Sequence, residues 1–416
     1  MIDLAVDQAS DQVAALIKAA AEEQERRRPG FFAERVLTVP RIRDISLDDR
    51  PEAPLLARSH AIGELAEAAL VRELGGRGRF EFSSASSPIG AWLSLSALDA
   101  AVSCATGQDL HAIPMPQRQL AETVEQKCGA TGLRYLQGCG SGPLMVLINA
   151  GGVPLRIWSR LLSDSSLGFQ VIAPQLNCRD PLDGGQSEPG SVFGDAEAVA
   201  TLIAEYGRPC TVLTWSNGCR VGVSLARRAP RLVERLILLS PTFHGSPRFE
   251  DVSCAYGRTM SELLHRVATR PELASVMSQI IARHVLDPPS AKGSDVAHFM
   301  SLPARDAASL IAAPMSQPES LLHYAVRQVE DEAHDALEDL QKLTCELVLI
   351  VGEYDNVATP EVSRTALMRA GCRFLDIFVT AAGHYIHDLQ YNHLRYILRS
   401  LRVKQRLSSM RLITTR

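Results

Sequence analysis

From about residue 120 onward, short apolar runs alternate with longer stretches in which apolar residues recur three and four positions apart. The runs are Leu144 to Ile148, Phe169 to Ile172, Thr211 to Thr214, Leu236 to Leu239, Leu347 to Val351 and Phe374 to Val379. Their lengths suit strands, and their apolar character, broken by a charged side chain only at Asp376, predicts burial on both faces. With helical stretches between them, the pattern predicts an α/β fold: a mostly parallel sheet with helices on both faces. Pro241 to Thr344, between the fourth and fifth runs, has a different texture. Met260 to Ala268 and Glu319 to Val329 carry helical periodicity there. A structureless loop of that length is rare, so a helical cap is expected at about 245–340.

The first 119 residues do not share this alternation. Val13, Leu16, Ile17 and Ala20 mark an amphipathic helix closed by Pro29-Gly30, and Ile62, Leu65, Ala69 and Leu70 mark a second, closed by Gly75-Gly76. Ile89 to Cys104 suits a buried helix. The serines at 83, 84, 86 and 87 before it read as caps rather than as an anion-binding loop. The expected division is a mainly helical N-terminal extension, 1–119, whose role the sequence leaves open, and a second domain, 120–416.

Composition narrows the function classes. Hydrophobic residues make up 46% and charged residues 22% of the 416, which suits a globular protein with a large core. A net charge of −4 gives no field that would imply nucleic acid or an anionic membrane as a general partner. The last 28 residues, Leu389 to Arg416, hold seven basic residues and no acidic ones. They read as the solvated face of a final helix, with an acidic partner as the alternative. Nine cysteines without close pairs form neither a disulfide framework nor a zinc pattern. With Asp3, Asp7 and Asp11 interrupting the N-terminus, no leader or membrane span is expected, and the reading is a cytoplasmic protein without cofactor or metal.

The sharpest chemical signal is Thr214-Trp215-Ser216-Asn217-Gly218, which follows an apolar strand and precedes the helical stretch Val221 to Ala229. A serine hydroxyl is a poor nucleophile. A tight strand-to-helix turn helps by projecting it from the sheet edge above a helix N-terminus. In this the chain resembles the α/β-hydrolase superfamily, whose elbow is G-x-S-x-G, over about 300 residues. Thr214 stands where the first glycine is expected. Asp355, at the end of Leu347-Val348-Leu349-Ile350-Val351-Gly352-Glu353-Tyr354-Asp355, and His384, in Ala382-Gly383-His384, match the family's acid and histidine and follow the serine in the family's order.

The resemblance implies Ser216 as nucleophile, His384 as base and Asp355 as the acid orienting it. Glu353 is expected to be structural, and His387 not to be the base. For the oxyanion, the amide of Asn217 is one candidate donor. The second lies in Asn149-Ala150-Gly151-Gly152-Val153-Pro154, where Ala150-Gly151 fills the place of the family's usual His-Gly and Gly152 is the choice. Trp215 and Val153 are candidate pocket residues. Gln175 replaces the acid of a loop that is mainly structural in the family, and Cys219 is expected to be a packed thiol. The expected activity is acyl transfer through an acyl-enzyme, most simply hydrolysis of an ester or thioester. The substrate would be a small molecule or an acyl group on a carrier protein. Acyl or aminoacyl transfer between carrier-protein thioesters, as in natural-product assembly lines, is one alternative, and a binding protein that has lost turnover is another. Oligomeric state is not legible.

Overall fold

The computed structural model describes residues 22, 36–40, 79–83, 123–176, 190–249, 252–286, 305–353, 355–379, 382–389 and 391–402. Strands β1 (Val36–Pro40) and β2 (Arg79–Ser83) pair in parallel. That pair stands in a region expected to be mainly helical. Val36-Leu37-Thr38-Val39 and Phe80-Glu81-Phe82 are β-branched and aromatic sequences that suit a strand better than a helix. The helices expected around residues 13–20, 62–70 and 89–104 lie outside the described residues, as do the loop 177–189 and the tail beyond 402.

An eight-stranded sheet forms the main body. Its strands are β3 (Val124–Lys127), β4 (Arg134–Gln137), β5 (Leu144–Ile148), β6 (Gln170–Pro174), β7 (Cys210–Trp215), β8 (Val233–Leu239), β9 (Glu346–Gly352) and β10 (Leu375–Val379). They are ordered β10-β9-β8-β7-β5-β6-β4-β3. The six from β5 to β10 run parallel, and β3 and β4 extend the sheet antiparallel. All six apolar runs fall on the parallel strands. The antiparallel pair carries Val-Glu-Gln-Lys and Arg-Tyr-Leu-Gln, too polar to read as buried runs.

Helices cover both faces. Helices α1 (Ser159–Ser163), α2 (Val192–Glu205) and α3 (Cys219–Arg228) connect strands up to β8. Among the described residues, five more lie between β8 and β9: α4 (Ala255–Thr269), α5 (Ala274–Leu286), α6 (Arg305–Ala312), α7 (Pro318–Ala333) and α8 (Ala336–Gln341). Helix α9 (Pro360–Arg369) precedes β10, and α10 (Ile386–Leu389) and α11 (Tyr391–Arg402) follow it. Alternation along β5 assigns the layers. Leu144, Val146 and Ile148 pack with Val199, Val221 and Leu367 of α2, α3 and α9. Met145 and Leu147 face the other way, toward Trp158, Leu394 and Leu398. In α11 the apolar side is buried while Arg399 and Arg402 are exposed, so the described part of the basic tail is a solvated helix face. No helix among the described residues is long and apolar enough to cross a membrane.

The helices between β8 and β9 have a small core of their own, with Leu264, Val267, Met315 and Leu321 buried together. Buried charges join them to the main body. Arg327 of α7 meets Asp195 of α2 at 2.7 Å and Asp331 at 2.6 Å, and also donates to the Gly190 carbonyl. Arg220 of α3, fully buried, donates to Ser246 Oγ and to the Asp331 carbonyl, both at 2.6 Å, and to the His244 carbonyl. Burial raises the Asp331 carboxyl above its ordinary range, opposed by Arg327 and Arg220. Removing one member of such a cluster strands the others in a poor solvent.

Arg327→Met is therefore expected to lower stability by about 3–5 kcal/mol at neutral pH. Without the guanidinium, the folded-state pKa of Asp331 rises further above its unfolded value. Its stability penalty then grows as pH rises through the unfolded value and fades below it. Urea unfolding at two pH values checks this: the deficit relative to the parent protein should shrink on acidification.

Candidate active site

Strand β7 runs into the turn that carries Ser216. Trp215 ends the strand with extended backbone, Ser216 turns sharply with φ +55°, and α3 begins at Cys219. Positive φ is unusual for a residue with a side chain and marks a strained turn. Its neighbours hold it in place. The Thr242 amide donates to the Ser216 carbonyl at 3.3 Å. Gly218 passes so close to the Asn149 carbonyl at the end of β5 that a Cβ would overlap it, so no larger residue fits.

Thr214, in the place of the expected glycine, is fully buried, and its Oγ1 donates to the Ile237 carbonyl at 3.2 Å. Its methyl fits because Gly222 lies opposite on α3, where a Cβ would fall well inside contact distance of Thr214 Cγ2. The small residue of the motif has moved two turns along the chain rather than disappeared.

Ser216 Oγ lies 3.1 Å from His384 Nε2. On the other side of the ring, His384 Nδ1 is 3.1 and 3.0 Å from the two oxygens of Asp355. Asp355 is buried just beyond β9, where its Oδ1 also accepts from the amides of Val357 (3.0 Å) and Ala358 (2.7 Å), which fixes the carboxylate. Trp215 braces the histidine loop: its Nε1 donates to the His384 carbonyl at 3.2 Å and its ring lies 5.6 Å from the imidazole. Trp215 also lines the cavity at Ser216, so it both supports the loop and faces the pocket. Val153 lines the same cavity.

After β5, Asn149 shapes the turn. Its Nδ2 donates to the Val153 carbonyl at 2.5 Å, and its Oδ1 accepts from the Ala150 amide at 3.0 Å. Gly151 lines the cavity and donates its amide to Asn217 Oδ1 at 2.9 Å. Gly152 has φ +71° and packs toward Pro314 and Tyr324.

His387 is buried with its ring 4.8 Å from Trp158 and 4.3 Å from Trp215, and it does not line the cavity at Ser216. Glu353 joins strands, its amide donating to the Val379 carbonyl at 2.9 Å. Gln175 continues from β6, its amide bonded to the Arg134 carbonyl at 2.8 Å. Cys219 is fully buried with Sγ on the Thr242 carbonyl, and burial pushes its thiol up to about 12. A thiol so protonated is no nucleophile.

The cavity beside Ser216, about 120 Å³, is also lined by residues from the helices between β8 and β9, among them Met260, Leu264, Pro314, Tyr324, Gln328 and Glu332. Nothing in the sequence pattern singled out Gln328 or Glu332. They sit on a helix read only for its apolar spacing, and their inward direction follows from packing. Among the described residues no group of histidine, cysteine and acidic side chains has the geometry to hold a metal.

A family model described as the alpha/beta hydrolase family matches residues 145–391. A pimeloyl-[acyl-carrier protein] methyl ester esterase of Aromatoleum aromaticum is 32% identical over 124 residues, covering 29% of this chain and 46% of the relative. The chain thus spans about half the length of that relative. Among solved structures, a membrane phospholipase A described as a bacterial virulence factor has a TM-score of 0.50 at 21% identity, over 69% of this chain and 88% of that one. An enol-lactonase from Burkholderia xenovorans LB400 has a TM-score of 0.47 at 18% identity, over 67% of this chain and all of that one.

The pairing of Thr214 with Gly222 yields a double-mutant prediction. Gly222→Ala should destabilise by about 1–3 kcal/mol through overpacking, although alanine is the better helix former. Thr214→Ser keeps the hydroxyl and removes the opposing methyl, so the two changes together should recover most of that loss in thermal unfolding.

Proposed function

The chain belongs to the alpha/beta hydrolase family, and from that premise we propose that it hydrolyses an ester or thioester through an acyl-enzyme formed on Ser216. The observation that carries the reading is the single line of contacts from Asp355 through His384 to Ser216 Oγ, on a turn with φ +55°. In this reading His384 Nε2 takes the serine proton as Oγ attacks the carbonyl carbon, then returns it to the leaving oxygen or sulfur. Asp355 holds Nδ1 protonated and stabilises the imidazolium. Water repeats the cycle on the acyl-enzyme to release the acid.

The developing oxyanion needs donors already in place. The Asn217 amide, next to the nucleophile, is the first. The second comes from the turn after β5. Gly152 is favoured because no described group accepts its N–H, whereas the Gly151 N–H is spent on Asn217 Oδ1. The helices between β8 and β9 act as a cap: they contribute much of the cavity wall and exclude water from the acyl group. A cavity of about 120 Å³ is small beside the roughly 300–1,000 Å³ of sites that enclose drug-sized ligands, which supports a compact acyl group or one whose remainder lies outside.

The partial relative is named for a methyl ester on a carrier-bound acyl chain, which supports an oxygen ester as the scissile bond. The same name favours a second reading, transfer between carrier-protein thioesters, which shares the acyl-enzyme and differs only in its acceptor.

A fluorophosphonate probe is expected to add one adduct, mapped to Ser216, that Ser216→Ala and His384→Ala both abolish. On a simple aryl ester, Asp355→Asn should lower kcat by about 10⁴-fold. Release of free acid with water alone supports hydrolysis, and strong acceleration by a pantetheine thiol supports transfer. A folded protein that neither this probe nor a small acylating reagent labels would be a binding protein of this fold.

A further inference from the structure

The cavity wall is mostly apolar or aromatic, and the helices between β8 and β9 set a few polar side chains, Ser261, Gln328 and Glu332, into it. Helix α7 carries Gln328 and Glu332 one turn apart, and both line the cavity. A line of hydrogen bonds reaches them from the nucleophile turn. Asn217 Nδ2 donates to Gln328 Oε1 at 3.1 Å, and Gln328 Nε2 donates to Glu332 Oε1 at 3.0 Å. On the other carboxylate oxygen, Ser261 Oγ of α4 lies at 2.8 Å and His265 Nε2 at 2.7 Å. The side chain crosses Gly245, where a Cβ would overlap its Cγ and Cδ. The fold therefore keeps a bare position to seat this carboxylate at the cavity.

A carboxylate is costly to bury, and an apolar pair would join α4 to α7 at least as well. Glu332 is nonetheless buried on the wall of the cavity beside Ser216. Its two oxygens offer about four acceptor positions. The contacts with Gln328, Ser261 and His265 use three. The remaining position is on Oε1, which takes only the Gln328 amide. Next to it, His244 also lines the cavity, and its Nδ1 is buried without a hydrogen-bond partner among the described residues. The surrounding charge leans the same way. Asp195, Asp331 and Glu332 are three buried carboxylates, against the two buried guanidiniums Arg220 and Arg327.

We propose that Glu332, with Gln328 beside it, forms a subsite for a hydrogen-bond-donating group on the substrate, an ammonium above all and a hydroxyl next, and that this subsite selects among the esters that reach Ser216. The proposal rests on the hydrolytic reading above and names the substrate class within it: a polar-ended acyl ester rather than a plain aliphatic one. A carboxylate-ended acyl chain would meet Glu332 with like charge and be rejected.

The test is a set of phenyl esters of matched chain length whose acyl chains end in methyl, hydroxyl, ammonium or carboxylate. Turnover is measured on the parent protein, and binding by calorimetry on Ser216→Ala. The ammonium-ended ester should exceed its methyl-ended counterpart by about tenfold or more in both kcat/KM and affinity, with the carboxylate-ended ester last. In Glu332→Gln, the ammonium-to-methyl ratio should fall to near one while thermal unfolding remains cooperative. If Glu332→Gln does not fold, Glu332→Asp keeps the charge but withdraws it, and the preferred chain should lengthen by one methylene. An ammonium-to-methyl ratio near one in the parent protein, or a ratio that survives Glu332→Gln, overturns the subsite. Ranked binding without turnover of any ester leaves the subsite standing and overturns the hydrolytic reading instead.

Discussion

The φ +55° turn at Ser216 is the constraint around which the rest of the molecule is arranged. A single residue in that conformation costs of order 1–3 kcal/mol, and persists only where its surroundings leave it no alternative. Here β7 enters in the middle of the parallel sheet with both of its faces buried. Helix α3 leaves against the same sheet, and Gly218 is pressed to the Asn149 carbonyl. The backbone has no room to relax into an ordinary helix start. The strain keeps the hydroxyl pointed out of the sheet edge, where the loops after β9 and β10 bring Asp355 and His384.

A second constraint, buried charge, fixes the helices between β8 and β9 to this turn. Helix α7 shows Arg327, Asp331 and Glu332 to the interior, and Arg220 of α3 meets them. Charged groups of this kind add little net stability compared with apolar packing, but their directional bonds allow few alternative arrangements. Their value lies in register. A shift of α7 by one residue would strand Asp195 and Arg220 without their partners and move Gln328 away from Asn217, whereas an apolar interface would tolerate the slip.

Much of this was legible in the amino-acid sequence because a strand buried on both faces leaves a plain signature. Leu144 to Ile148 and Leu347 to Val351 have nowhere to be in water, and each coincides with a parallel strand. Strands β3 and β4 gave no such signal, because β3 at the sheet edge is exposed at all four positions and β4 beside it buries only Tyr135. The order and setting of Ser216, Asp355 and His384 could be read because each follows a buried strand, and the sheet brings the ends of its parallel strands together. Gln328 and Glu332 could not be read in the same way. Within an amphipathic helix, a glutamate is the ordinary solvent-side residue, and only the packing of α7 on α4 shows that this one faces inward. Thr214 misleads for a related reason: a motif specifies the space the turn needs, and here Gly222, eight residues later, supplies it.

The line from Gly151 through Asn217 and Gln328 to Glu332 joins these two constraints into one system. Asn217 sits on the strained turn, so its amide side chain has a fixed origin, and each of its two ends is committed. Its oxygen holds the loop that follows β5, and its nitrogen holds Gln328 of α7. The loop that follows β5 is therefore positioned by side chains of α7 as well as by the sheet. This explains why a helical insertion that is remote in sequence needs polar residues on a mostly apolar wall. An apolar α7 could close the cavity, but it would leave Asn217 Nδ2 without Gln328, and the loop after β5 would depend on Asn149 and on an Asn217 side chain no longer fixed at its other end.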